Sequence, residues 1–246
     1  MVLEGKTAVV TGAAGAMGLA VVRALLEDGA QVALVDMDAM RLDSVVRFVR
    51  GTVVAVVCDV SESGSVRKGH QQVEQLLGPV DILVNNAGVL SNNKAEATDD
   101  DEWRRVHAVN LDGAFYWSRA VLPGMRRRGW GRIINVCSLA AKSGGLTAGT
   151  AYTSSKGALT SLTFSLARET AAQGITVNGI SPAYVITPMV TQQLNEQQQR
   201  QILAQIPVGR FCEPEEFAHV VRFLVHPLAG FITGEIVDLN GGVVMD

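Results

Sequence analysis

Short apolar runs alternate along the chain with longer stretches in which apolar residues recur every three or four positions. The short runs are rich in Val, Ile and Leu and predict strands at 6–10, 31–36, 52–59, 80–85, 131–138, 176–181 and 235–239. The longer stretches predict helices at 16–28, 39–50, 62–77, 99–128, 150–173 and 214–225. Thr7-Ala8-Val9-Val10 and Val32-Ala33-Leu34-Val35 are almost continuously apolar, as strands are when both faces of a sheet are covered. Strand–helix alternation of this kind predicts an α/β doubly wound sandwich, about seven parallel strands with helices on both faces. Some helix ends are legible. Thr98, followed by Asp99, Asp100 and Asp101, supplies a cap and acidic residues at a helix start, and Gly29 and Gly174 stand where left-handed cap residues are wanted. The segment 187–207 is the least regular long insert and is expected to be a substrate lid; its Gln and Glu content offers a surface helix as the alternative.

The 246 residues fit one domain spanning 1–246, since no repeat, linker or low-complexity tract divides them. Apolar residues at 48% and charged residues at 18% support a substantial core and exclude disorder. A net charge of −3 provides no broad basic field, so neither nucleic acid nor a membrane surface is an expected partner. Arg126, Arg127 and Arg128 form the one dense basic spot, where a helix C-terminus favours cations. The start Met1-Val2-Leu3-Glu4-Gly5-Lys6 lacks the features of a secretory signal, and no apolar run reaches the roughly 18–20 residues of a membrane span, so a cytoplasmic protein is expected. Cys58, Cys137 and Cys212 are widely separated and predicted to be buried or inert thiols. His70, His107, His219 and His226 lack ligand spacing, and no metal is expected.

Between the first strand and helix lies Thr11-Gly12-Ala13-Ala14-Gly15-Ala16-Met17-Gly18. Glycines there let the backbone turn tightly and approach a pyrophosphate, whose charge meets the free N–H groups of the helix N-terminus. The turn resembles the T-G-x-x-x-G-x-G signature of the short-chain dehydrogenase/reductase family, with Ala16 at the middle glycine and Gly15 just before it. A methyl group at Ala16 is tolerated if that residue already has helical dihedrals. Asp36 ends the second strand about 20 residues beyond the turn, where a carboxylate can hold both ribose hydroxyls of NAD and repel a 2′-phosphate. The basic residues that NADP-dependent relatives carry are absent, Gly15 and Met37 standing in their places. Cys58-Asp59-Val60 resembles the family's D-V beside the adenine, and Asn85-Asn86-Ala87-Gly88 its N-N-A-G segment.

Ser138, Tyr152 and Lys156, with Asn110 upstream, are similar to the family's catalytic tetrad. Tyr152 and Lys156 lie four residues apart on one helix face, so an ammonium can approach the phenol and lower its pKa from about 10. The family resemblance covers essentially the whole chain and extends to Ile175–Pro182, implying nicotinamide-side contacts from Pro182, Val185 and Thr187, and a Rossmann-like fold. Ala183 departs from the usual glycine, and the interval from Ser138 to Tyr152 is one residue longer than most relatives have. The implied reaction is hydride transfer between NAD(H) and a secondary alcohol or ketone. In it Tyr152 acts as acid/base, Ser138 holds the substrate oxygen, Lys156 tunes the tyrosine and binds ribose, and Asn110 positions a water. Leu90, Ser91, Leu139, Lys142, Leu146, Tyr184 and Met189 are the expected pocket, which favours cyclic or aliphatic alcohols over sugar polyols. An NADPH-dependent 3-oxoacyl-[acyl-carrier-protein] reductase is the alternative, although two positions matching the basic residues that grip the carrier read Gly129 and Gln173. A dinucleotide-sensing protein without turnover would be expected to lack Tyr152 or Lys156. The resemblance, with the apolar segment 231–245, implies a homotetramer.

Overall fold

Seven strands form one sheet: β1 Thr7–Thr11, β2 Gln31–Asp36, β3 Val53–Val57, β4 Ile82–Asn85, β5 Gly131–Val136, β6 Ile175–Pro182 and β7 Ile236–Leu239. The computed structural model describes residues 1–187 and 196–245. All strand pairs are parallel, in the order β3-β2-β1-β4-β5-β6-β7. The chain winds outward from β1 to β3, returns to β4 beside β1, and then winds the other way. The C-terminal ends of β1 and β4 therefore part at the switch point, where a doubly wound sheet opens its crevice.

The helices are α1 Ala16–Glu27, α2 Ala39–Val46, α3 Ser63–Leu77, α4 Asp100–His107, α5 Gly113–Arg128, α6 Ala140–Ser143, α7 Thr150–Thr170, α8 Glu196–Leu203 and α9 Pro214–Val225. Alternate strand residues point to opposite faces, and each face has its own cluster. Ala8, Val10, Leu34 and Val84 pack with α1 and α9, whereas Val9, Val35, Leu83 and Ile133 pack with α3, α5 and α7. Phe217 on α9 and Trp117 on α5 are fully buried on these two faces; burial of a large apolar side chain contributes about 1.5–3 kcal/mol. Arg222 ties α9 to the end of α1 through Asp28, with Nε 2.8 Å from Oδ2.

Several predicted boundaries move. The helix expected over 99–128 is interrupted by a π-helical turn, Ala108–Asp112, between α4 and α5. Its cap is Asp99, whose carboxylate accepts from the Glu102 N–H at 2.7 Å; Thr98 instead donates to the Asn93 and Lys94 carbonyls, closing the short 3-10 turn Ala95–Ala97. The helix from Thr150 gives way at Thr170 to a 3-10 turn, Ala171–Gln173. Gly29 and Gly174 do follow their helices with φ of 93° and 72°. β5 ends at Val136, which frees Ser138 from the ladder and lets α6, which the sequence did not reveal, begin at once. In the segment 187–207, α8 takes the helical alternative, while 188–195 lie outside the described residues. No helix among the described residues is long and apolar enough to cross a membrane.

Burial pushes the thiols of Cys58 and Cys137 up, and that of the half-buried Cys212 to about 11. All three are poor thiolates as a result.

Candidate active site

The glycine turn joins β1 to α1 at the switch point. Gly12 has φ +63°, and a Cβ there would meet the Ala87 Cα at 2.9 Å. A Cβ on Gly18 would come within 2.3 Å of the Gly12 carbonyl oxygen. The turn is held from β4's end: Asn86 Nδ2 donates to the carbonyls of Thr11 at 2.9 Å and Gly12 at 3.1 Å. The Thr11 hydroxyl accepts from the Asn86 and Ala87 N–H groups, both at 3.0 Å. Gly15 caps α1 without a side-chain bond, and the first turn, with Met17, carries no acidic residue. An uncapped helix start of this kind presents N–H groups to an anion. Ala16 is already the first helical residue, the condition under which its methyl is tolerated.

Asp36 Oδ2 accepts from the Ala14 N–H at 3.1 Å and Oδ1 from the Asp38 N–H at 3.2 Å, so the carboxylate sits against the glycine turn. Arg41 pairs with Asp38 at 3.8 Å, and Met37 is exposed. Asp59 binds the Ser61 N–H at 2.9 Å, and Val60 packs beneath Gly113. These residues fit a dinucleotide, with its pyrophosphate on the α1 N-terminus and its ribose at Asp36.

At the other end of the crevice, α7 presents Tyr152 and Lys156 beside Ser138. The Ser138 Oγ accepts from the Ala140 N–H at 3.1 Å, which fixes it at the start of α6, and Ser138 lines the same cavity as Tyr152. Asn110 lies in the π turn, a feature that often marks functional sites. Its Oδ1 accepts from the Val89 N–H at 2.8 Å, and its Nδ2 donates to the Val89 carbonyl at 3.0 Å and to Ser155 Oγ at 3.1 Å. Ser155 in turn donates to the Tyr152 carbonyl at 2.7 Å. The π turn is thus fastened to the turn of α7 that carries Tyr152 and Lys156 through Ser155, a residue the sequence reading missed. A Cβ on Gly88 would lie 3.3 Å from Asn110 Oδ1 and 3.5 Å from Lys156 Nζ, so Gly88 keeps space open between them.

The expected lowering of the tyrosine pKa is not found. Burial pushes the Tyr152 phenol up, opposed by the neighbouring Ser138 hydroxyl, and burial also pulls Lys156 down to about 8. The reason is geometric: Lys156 Nζ lies 5.8 Å from the Tyr152 ring centre and donates to the Val136 carbonyl at 2.6 Å.

Ser138 and Tyr152 open onto a cavity of about 620 Å³ that also receives Leu90, Leu139, Leu146, Pro182 and Tyr184. Ser91 and Lys142 do not line it. The Ser91 hydroxyl donates to Glu102, helping to hold that carboxyl below its ordinary pKa, and Lys142 Nζ reaches across to Asp238 Oδ2 at 2.6 Å. Both partners are distant in sequence or on another element, so local pattern gave no sign of them. Met189 lies outside the described residues. Val185 is buried and pairs with Cys212 by an isolated bridge; Thr187 follows, half-buried. The cavity also takes Asn92, Thr147, Gln198, Gln201 and Gln205, none foreseen, although glutamines at i, i+3 and i+7 were visible as a helical stripe.

Residues 12–244 match a family profile described as Enoyl-(Acyl carrier protein) reductase. The 3-oxoacyl-[acyl-carrier-protein] reductase FabG of Vibrio cholerae is 38% identical over 246 residues and covers 100% of both chains. The galactitol 2-dehydrogenase (L-tagatose-forming) of Cereibacter sphaeroides is 38% identical over 247 residues, covering 98% of this chain and 95% of its own. Among solved structures, gox2181 superposes with a TM-score of 0.94 at 34% identity, covering 98% of this chain and 96% of that one. A short-chain dehydrogenase/reductase titled glucose/ribitol dehydrogenase, from Brucella melitensis, gives 0.92 at 32% identity, covering 100% of this chain and 99% of its own. Agreement of sequence and fold from end to end leaves one assignment: the chain belongs to the short-chain dehydrogenase/reductase family of oxidoreductases.

Proposed function

We propose that the protein transfers a hydride between NAD(H) and a secondary alcohol or ketone, with Tyr152 as general acid/base. The observation that carries this reading is that Ser138 and Tyr152 open together onto the cavity beside the switch point, with Lys156 one turn along α7. When bound, the nicotinamide accepts or supplies the hydride. In oxidation, the Tyr152 oxygen takes the proton of the alcohol, and in reduction it returns a proton to the carbonyl oxygen. The Ser138 hydroxyl, held at the head of α6, donates to the substrate oxygen and stabilises charge that develops there. Lys156 is buried with a pKa near that of a working base, about 8, so it can exchange a proton at Nζ while the Asn110–Ser155 contact holds α7 in place.

The carrier-protein reductase reading rests on the FabG relatives, but identity is 38% to both FabG of V. cholerae and the galactitol dehydrogenase and separates nothing. The basic run speaks against it. Arg126 pairs with Glu169, and Arg128 reaches Asp81 at 3.3 Å and the Val80 carbonyl at 2.5 Å, so two of the three arginines are engaged within this chain and, among the described residues, Arg127 alone of the run is exposed without an ion pair. Turnover of secondary alcohols with NAD, exceeding reduction of an acetoacetyl thioester with NADPH, is the expected result. The opposite order would replace this reading with the reductase.

The same reading places the enzyme in the cytoplasm, in keeping with its free cysteines, and as a homotetramer. β7 is an edge strand, and near it Phe231, Leu228 and Met245 are exposed, more apolar surface than an edge usually leaves to water. Light scattering at micromolar concentration is expected to give about four times the 26.1 kDa of one chain; a monomer mass would refute it.

A further inference from the structure

One ammonium joins the loop between α6 and α7 to the loop after β4. Lys94 Nζ donates to the Gly145 carbonyl at 2.8 Å and to the Ala148 carbonyl at 2.7 Å. Between those two carbonyls stand Leu146 and Thr147, both on the cavity wall. Leu146 is 59% exposed, and Thr147 Oγ1 lies 3.3 Å from the Tyr184 OH on the loop after β6. The two residues form a shelf at the cavity mouth, apolar at Leu146 and hydroxylic at Thr147, whose backbone is gripped on both sides by a single side chain.

The grip has a firm base. The Lys94 carbonyl accepts from the Ala97 N–H at 2.9 Å and from the Thr98 hydroxyl at 3.0 Å, at the head of the 3-10 turn. Beside it, Glu102 on α4 accepts from the Ser91 hydroxyl and from Asn93 Nδ2, the latter at 2.7 Å. The downstream end of the shelf is held by backbone alone: the Gly149 N–H donates to the Ser91 carbonyl at 2.6 Å and the Thr150 N–H to the Asn93 carbonyl at 3.0 Å. Upstream the chain enters through Gly144 and Gly145, with φ of 72° and 76°, where the backbone is least restrained by its own side chains. Lys94 therefore fixes the looser end. We propose that Lys94 is a positioning residue for specificity, holding the Leu146–Thr147 shelf against the part of the substrate remote from the reacting carbon, an inference that rests on the alcohol–ketone reading above. A contact so far from the reacting carbon is made equally before and during hydride transfer, so it acts on KM and not on kcat. Substrates too short to reach the shelf are indifferent to it.

The test compares wild type, Lys94→Met and Lys94→Arg on the 2-alkanols from 2-butanol to 2-octanol with NAD. Lys94 is otherwise exposed, so neither change disturbs the core; Met keeps the stem without the donor, and Arg keeps charge and donors. Lys94→Met is expected to raise KM for 2-octanol by roughly tenfold while kcat, KM for 2-butanol and KM for NAD stay within about twofold, and Lys94→Arg is expected to restore most of the loss. Amide hydrogen exchange supplies a readout independent of turnover: residues 144–149 are expected to exchange about tenfold faster in Lys94→Met, with the body of α7 unchanged. Unchanged exchange overturns the clamp. A freed loop with KM unmoved, or with KM raised equally for short and long alcohols, overturns the role in specificity, as does a matching loss of kcat and NAD affinity. If only acyl thioesters are turned over, with NADPH, the alcohol–ketone reading falls by itself, and the same comparison between acetoacetyl and 3-oxooctanoyl thioesters decides the role of Lys94.

Discussion

Replacing Tyr152 by Phe is expected to lower kcat by on the order of 10²-fold or more while leaving NADH affinity within a few-fold. The ring is retained, so packing along α7 is kept and only the proton-transferring oxygen is lost. The pH dependence has a definite sign. Burial raises the Tyr152 phenol, and the phenolate is the base for oxidation, so wild-type oxidation should climb with pH while reduction, which needs the phenol, should fall. Because Lys156 is directed at the Val136 carbonyl, nothing in the protein alone brings the phenol down to neutral pH. A cofactor carrying positive charge near it would do so, and the climb should then begin lower in the ternary complex than in free enzyme. Near-wild-type turnover in the variant would refute the role of Tyr152.

Wild-type enzyme is expected to prefer NAD over NADP by roughly 30- to 1,000-fold in kcat/KM. Asp36 is held against the glycine turn by the Ala14 and Asp38 N–H groups, so its charge cannot swing aside when a 2′-phosphate of about −1.5 to −2 charge arrives. Repulsion across a partly desolvated gap, at an effective dielectric near 20, costs about 2 to 4 kcal/mol. Arg41, the cation on the adjoining α2, pairs with Asp38 at 3.8 Å rather than with Asp36. Measuring both cofactors in wild type, Asp36→Ala and Asp36→Asn separates charge from shape, since Asn keeps one acceptor for the Ala14 N–H. Equal efficiency in wild type would sink the NAD assignment, and an unchanged ratio in both variants would clear Asp36 of responsibility.

The sheet and the crevice were legible because their signals are local. Burial of both faces of β1 and β2 follows from their unbroken apolar runs, and the glycine turn announces a strand-to-helix junction by itself. What was hidden depends on partners remote in sequence. Ser91 was expected in the pocket but is taken by Glu102 on α4, and Lys142 by Asp238 on β7. The shift of Tyr152 was misjudged because helix spacing gives proximity to Lys156 without telling where Nζ points. α6 spans a single turn and has no periodicity to read.

The π turn at Asn110 has a consequence for how this region tolerates change in length. An α-helix rotates about 100° per residue, whereas the wider turn accommodates one additional residue before the backbone ladder resumes. α4 and α5 are therefore out of helical phase with each other, and the residues that each buries are set separately, Val106 on one and Trp117, Val121 and Met125 on the other. Deleting a single residue from Ala108–Asp112 would bring the two into phase as one rod. That rod could keep its core-facing stripe along α5, but Asn110 would be rotated away from Val89 and Ser155. The asparagine's position is thus written as a surplus of one residue, a kind of information that no single substitution can add or remove.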